Sequence, residues 1–465
     1  MKKIILFLLL ILAQNVSAKI WLPSILSDNM VLQQKSEANI WGWTTAMDET
    51  ITINVSWSDQ EFTTKAPLGV WSIVIPTPEA GGPFTISISG HEKLTLKNVM
   101  IGEVWLASGQ SNMEWTPLMG LTNADKEIEM AQFPNIRFFK VTKKISKTPQ
   151  DELYGSWEEC SPESIKTFSS VAYFFGRRLH QDLNVPIGLI NSSWGGTNVE
   201  TWIPEDTLSE RKHLVASMEK IPPAPWWPKD PGLAYNSMIH PIIKYNITGA
   251  IWYQGESNRA NPKSYKESFA LMIETWRERW NKEMPFYFVQ IAPFDYGSKT
   301  GFEGALVHEA QLQTMLSVDQ TGMVVTNDIG ELKNIHPINK QDVGKRLALW
   351  ALAKTYGVKN LAFSGPVYDQ MQIVKNKIRI SFQHADQGLQ IKGKELTDFY
   401  ISGSDQKFYK ATAKIKGNQI EVSSNKVKSP VAVRFAFSDT ATPNLYNAEG
   451  LPASGFRTDD WEVKF

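Results

Sequence analysis

The sequence predicts an α/β protein: a doubly wound parallel sheet in the middle of the chain, flanked on each side by a small all-β, sandwich-like domain. Three observations predict it. Between residues 98 and 360, short apolar runs of strand length alternate with amphipathic runs of helix length, the pattern of parallel strands joined by crossover helices. Residues 19–97 and 361–465 hold short β-rich runs separated by Gly, Pro and Asp. The chain has 465 residues, too many for one ordinary hydrophobic core.

In the first β-region the runs are "ANIWGW", "ITINVSW", "VWSIVIP" and "FTISIS". In the last they are "KIRISF", "FYISG", "QIEVSS" and "VAVRFAF". The middle reads as strand "VMIGEVWLAS", helix "SSVAYFFGRRLHQDL" with Ser161-Pro162-Glu163 as its start signal, and strand "PIGLINSSW". It continues with strand "ITGAIWYQ", helix "SYKESFALMIETWRERW", strand "PFYFVQIAPF", helix "ALVHEAQLQTML" and strand "GMVVTNDIG". A capped helix, "NKQDVGKRLALWALAKTYG", closes the series at Gly357.

Residues 1–18 read as a cleavable export segment. Lys2 and Lys3 precede the apolar run Ile4–Ala13, and Val16-Ser17-Ala18 matches a small-residue cleavage pattern, so the mature chain is expected to begin at Lys19. The single Cys160 allows no internal disulfide. Together these predict a bacterial periplasmic or secreted protein. Lys plus Arg equals Asp plus Glu at 48 each, so no basic field gathers nucleic acid, and no later apolar run is long enough to insert into a membrane. Seventeen tryptophans supply flat faces suited either to the core or to the apolar faces of sugar rings.

In a doubly wound sheet, ligands bind beyond the carboxyl ends of the strands. Polar motifs fall at that edge: Gly109-Gln110-Ser111-Asn112 after the first strand, Trp194-Gly195-Gly196-Thr197 after the second, Gln254-Gly255-Glu256-Ser257-Asn258 after the third, Asp328 after the last, and His336 before the final helix. Acyl transfer needs a nucleophile, a base and oxyanion donors. Ser111 is the candidate nucleophile. Met113 stands where a Gly-x-Ser-x-Gly elbow would carry its second glycine, which argues against an α/β-hydrolase. Of seven histidines, His336 is the one placed at the edge as a base. The N–H groups of Ser111 and Gly196 and an amide side chain, Gln254 or Asn258, can surround an oxyanion. Gln110, Asn112, Glu256 and Asn258 are candidate substrate-binding groups, with an inner structural role for Glu256 as the alternative. Neither a metal nor a cofactor is expected.

The segments "GQSNMEW", "GGTNVETW", "WYQGESN" and "IHPINKQDVGKRLA", in this order, resemble the sialate O-acetylesterase family of SGNH hydrolases. "LPSILSDNMVLQQ" and "YNAEGLPASGFRTD" resemble its flanking segments, so the likeness covers nearly the whole mature chain. The resemblance implies a flavodoxin-like esterase domain that removes acetyl groups from sugars, with Ser111 as nucleophile, His336 as base and an oxyanion glycine near Gly196. Where the general pattern has an asparagine of Gly-x-Asn-Asp, this chain has "QGESN", so Gln254 is expected to substitute.

One position departs from that pattern. An aspartate is expected three residues before the histidine, and Lys333 stands there. Asp328, Glu331 and Asn334 are the nearby replacements. Asp328 is favoured, because a strand end holds a side chain more rigidly than a loop does. Failing these, Ser111 and His336 work as a dyad. The loop Pro222–Pro231 carries five prolines and displays Trp226 and Trp227, which either pack on a sugar or latch the loop to the body of the protein. Two other functions fit parts of the pattern: a non-catalytic carbohydrate-binding protein, and a glycoside hydrolase using Glu256 and Asp328 as its carboxylate pair.

Overall fold

The structure, a computed structural model, describes residues 19–464; the expected export segment, residues 1–18, lies outside them. Seven strands form its central sheet: β1 (Lys93–Gly109), β2 (Phe133–Lys140), β3 (Trp157–Cys160), β4 (Ile187–Ser193), β5 (Gly249–Tyr253), β6 (Phe286–Val289) and β7 (Thr321–Val324). Their order is β3-β2-β4-β1-β5-β6-β7. All neighbours are parallel except β3, which runs antiparallel to β2. From β1 the chain winds first toward β2 and β4 on one side, then toward β5, β6 and β7 on the other. The order therefore reverses at β1, and a crevice opens beyond its carboxyl end.

The sheet is covered on both faces, which is why its strands read as continuous apolar runs rather than as alternation. Trp105, Ala107, Ile251 and Tyr253 face a layer built by α2 (Ser170–Leu183) and α5 (Lys340–Trp350). Leu106, Ala250 and Trp252 face the layer of α3 (Pro262–Trp280) and α4 (Glu303–Ser317). A single turn, α1 (Ser111–Glu114), follows β1.

Four features differ from the sequence expectation. β2 and β3 extend the sheet beyond the strands the apolar runs mark. The expected division at residues 97–98 falls inside β1, whose first half pairs with Gly81–Ser89 and which also takes Val31–Gln33 as a parallel neighbour. The first β-region thus shares backbone hydrogen bonds with the central sheet. α2 begins where its amphipathic run does, but its cap is Ser169, whose Oγ accepts from the Ala172 N–H, and not the expected Ser161-Pro162-Glu163 signal; Ser161 serves a separate short turn at Ser164–Thr167. Beyond Trp350, α5 widens into a π-turn over Ala351–Thr355 before Gly357.

The C-terminal region holds two four-stranded sheets around its own apolar cluster, including Ile378, Ile401, Ile420 and Phe435. It touches the central region through Asp439, whose Oδ1 accepts from the Gly304 and Ala305 N–H groups at the start of α4. A carboxylate satisfies two otherwise unpaired donors there and opposes the positive end of the helix.

Candidate active site

β1 and β5 end side by side, and the turn after β1 needs its glycine. Gly109 has φ +133°, and a Cβ on it would lie 2.3 Å from the Tyr253 carbonyl oxygen. The next N–H, of Gln110, donates to that same oxygen at 3.0 Å. The chain is thereby folded over the end of β5, and Ser111 opens α1 facing the crevice.

His336 comes from the segment between β7 and α5. Its Nε2 is 2.8 Å from Ser111 Oγ, the distance of a hydroxyl donating to a neutral imidazole. The Asn334 side chain fixes this segment by accepting the His336 backbone N–H. Burial pulls the His336 imidazole down to about 4, and the nearby Lys340 ammonium pulls in the same direction. The ring is therefore neutral and able to accept a proton through the neutral pH range.

Ser111 and His336 lie in a cleft of about 840 Å³, where Gly196, Gln110, Glu256 and Trp227 also stand. Gly196 has φ +82°, and a Cβ would come within 2.2 Å of the Trp227 ring. Glycine is thus required both by the backbone and by the tryptophan packed on it. The neighbouring Gly195 N–H donates to Glu114, whose carboxylate also pairs with Lys143, and Ser257 Oγ donates to the Gly196 carbonyl. These bonds pin the loop while leaving the Gly196 N–H without an acceptor among the described residues.

The amide expected as third oxyanion donor is not free for that role. Gln254 is fully buried, and its amide gives both hydrogens away, to the Thr197 carbonyl and to Asn258 Oδ1. It has none left for an oxyanion. Gln110 does: its Oε1 accepts from the Gly255 N–H at 3.2 Å, while no described residue accepts from its Nε2. Asn258 is likewise buried framework rather than substrate contact, bonded to Glu200, Asn261 and the Val199 N–H. Trp226 is 75% exposed and stands outside the cleft that Trp227 lines.

The expected acid is also elsewhere. Both oxygens of Asp328 are held by Arg346 at 2.7 Å in a bidentate pair, and among the described residues no hydrogen bond joins Asp328 to His336. Glu331 accepts from the Ile338 N–H and from Asn334 Nδ2. Among the described residues, nothing accepts from His336 Nδ1. What the ring has instead is Trp115, stacked on it with centroids 4.4 Å apart and planes at 16°.

Next to Ser111 runs a buried polar chain that joins motifs distant in sequence. Asn112 is fully buried; its Nδ2 donates to Glu256 Oε1 at 2.7 Å and to the Ile335 carbonyl, and its Oδ1 accepts from Lys340 Nζ at 2.5 Å. Burial raises the Glu256 carboxyl and pulls Lys340 down to about 7, with Glu256 itself opposing the latter shift. Asn112 therefore acts from below the site rather than on substrate. Glu114, Trp115, Lys143, Arg259 and Lys340 are among the site residues missed from sequence; Glu114, Trp115 and Lys340 lie within motifs already singled out.

The chain is similar to known proteins over most of its length. A family model described as carbohydrate esterase, sialic acid-specific acetylesterase, matches residues 101–352. The human sialate O-acetylesterase is 31% identical over 426 residues, covering 82% of this chain and 79% of that protein. The rat enzyme of the same name is 30% identical over 446 residues, covering 82% and 81%. Among solved structures, a carbohydrate acetylesterase from Xanthomonas citri superposes with a TM-score of 0.88 at 37% identity, covering 95% of this chain and all of that one. The chain is an esterase and belongs to the sialate O-acetylesterase family of carbohydrate esterases.

Proposed function

We propose that this esterase is an exported carbohydrate O-acetylesterase that works through an acyl-enzyme, with Ser111 and His336 as a catalytic dyad. The observation that carries the reading is the 2.8 Å contact between Ser111 Oγ and His336 Nε2 on the wall of an open cleft. The names of the relatives support an acetyl ester of a sugar as substrate, and Trp227, which lines the cleft, suits a sugar ring. The apolar leader pattern in residues 1–18 supports export to the periplasm or beyond. The strand order β4-β1-β5-β6-β7 supports the flavodoxin-like description of the sheet.

In this mechanism Ser111 Oγ attacks the acetyl carbonyl carbon as its proton passes to His336 Nε2. The tetrahedral oxyanion is held by the N–H groups of Ser111 and Gly196 and by Gln110 Nε2. Collapse breaks the bond to the sugar oxygen, which leaves with the proton from His336. Water then attacks the acetyl-serine, giving its proton to His336, and the second collapse releases acetate and restores Ser111. The carboxylate-pair alternative fits the site poorly: Asp328 is held by Arg346 and does not line the cleft.

The test is Ser111→Ala against acetate release from a panel of acetylated glycans. The wild-type protein should release acetate and no new reducing ends. The folded variant should lose at least about a thousandfold in kcat, since members of such a unit act together. A variant that keeps more than about a tenth of the activity rejects Ser111 as nucleophile.

A further inference from the structure

We propose that Trp115 is the positioning residue of the catalytic base, standing in for the missing triad acid. The inference rests on the Ser–His reading of the site. A triad acid does two things for its histidine: it fixes the ring's orientation, and it stabilises the imidazolium formed when the serine proton arrives. The three polar side chains near His336 are all committed elsewhere, Asp328 to Arg346, Glu331 to a loop N–H and Asn334, and Asn334 to the His336 backbone.

Trp115 has the geometry for both roles. Its indole lies 4.4 Å from the imidazole centroid with the planes 16° apart, so the ring cannot tilt without losing that contact. The indole is itself fixed: its Nε1 donates to the Gly120 carbonyl at 2.6 Å, and its own carbonyl accepts from the Ser170 N–H at the start of α2. It belongs to the same short stretch as Ser111, so nucleophile and base support are set by one backbone segment. The face of an indole carries negative charge density, so a cation formed over it is stabilised, the more so when shielded from water. Stacking therefore holds the neutral ring and strengthens as the ring becomes charged. The charged and titratable groups around this pair are Lys340, with Nζ 5.8 Å from the Trp115 centroid, Glu256 and Glu331, which face Lys340, and Glu114, Lys143, Arg259 and Glu303, which line the same cleft. Lys340 opposes protonation of His336, which leaves the indole face as the favourable contribution.

The experiment compares Trp115→Phe with Trp115→Leu, assayed on an aryl acetate and on an acetylated oligosaccharide across pH. Phe and Leu are close in size and open the site to water to a similar extent, but only Phe keeps a π face. With positioning by the ring, kcat should fall at least tenfold further in the Leu variant than in Phe, on both substrates, with KM for the aryl acetate unchanged. The acid limb of kcat/KM should also lie at lower pH in the Leu variant than in the Phe variant. Equal kcat and equal limbs in two folded variants overturn the proposal. So does a loss confined to KM for the oligosaccharide, which would make Trp115 a sugar platform. Ser111→Ala and His336→Gln run alongside: if either keeps its activity, the dyad itself fails, whatever the Trp115 variants do.

Discussion

Replacing Asp328 with asparagine should cost stability and spare catalysis. Both Asp328 oxygens meet Arg346 nitrogens at 2.7 Å, and the two side chains are only 8% and 13% exposed. Arg346 Nη1 also donates to the Val325 carbonyl, so the guanidinium ties α5 to the segment leaving β7. In Asp328→Asn one oxygen remains to accept, but the amide NH₂ faces a donor, and a mostly buried cation loses its counter-charge. Breaking one side of such a pair costs about 3 kcal/mol. For a cooperative unit of roughly 250 residues that lowers Tm by about 6 °C. Thermal unfolding should report this shift, while kcat on an aryl acetate stays within about twofold. A folded variant with unchanged Tm and kcat reduced by orders of magnitude would refute the reasoning, because it would mean that Asp328 serves His336 during turnover.

The pH profile of kcat/KM should carry an acid limb near pH 4, where the His336 imidazole titrates; below it the ring is already protonated and cannot take the serine proton. A limb at pH 6.5 or above would contradict a base made less basic by burial. Gln110→Ala should lower kcat by roughly a hundredfold with little change in KM, as loss of one oxyanion donor does; an unchanged kcat would remove Gln110 from the oxyanion site. Trp227→Ala should raise KM for an acetylated oligosaccharide more than Trp226→Ala does, because Trp227 lines the cleft and Trp226 faces solvent. Equal effects of the two would assign both to holding the loop.

The sequence located the site better than it assigned roles within it. Strand ends are legible, because apolar runs stop where polar motifs begin, and the fold brings all such ends of a parallel sheet to one edge. That is enough to bring Ser111, Gly196 and His336 to one edge, where a single cleft holds all three. Which way an amide or carboxylate turns is decided by partners distant in sequence. Gln254 and Gln110 both follow a strand at the edge, yet Gln254 turns inward to Thr197 and Asn258 while Gln110 remains at the cleft. Asp328 found Arg346 on the next helix, a choice no spacing rule announces. β2 is hidden for a related reason: in "FPNIRFFK" the second and third residues, Pro134 and Asn135, are turn formers, and the strand is defined by its register against β4 and β3.

The buried chain under Ser111 explains why a strand here ends in Gly-Gln-Ser-Asn. The Asn112 side chain has three hydrogen bonds, and each reaches a different part of the site: Glu256 after β5, the Ile335 carbonyl beside His336, and Lys340 at the start of α5. A side chain with both donor and acceptor ends is required, since one end meets a carboxylate and a carbonyl while the other meets an ammonium. Aspartate would set a second anion against Glu256, and leucine would leave Glu256 and Lys340 buried with no bridge between them. The motif thus divides its work by residue: Gly109 permits the close crossing over β5, Gln110 faces the cleft, Ser111 meets His336, and Asn112 locks the segments that carry them. Because the lock joins the turn of Ser111 to the loop of His336, Asn112→Asp should disturb the Ser111–His336 distance even though Asn112 touches neither Ser111 Oγ nor His336 Nε2, and kcat should fall with KM largely retained.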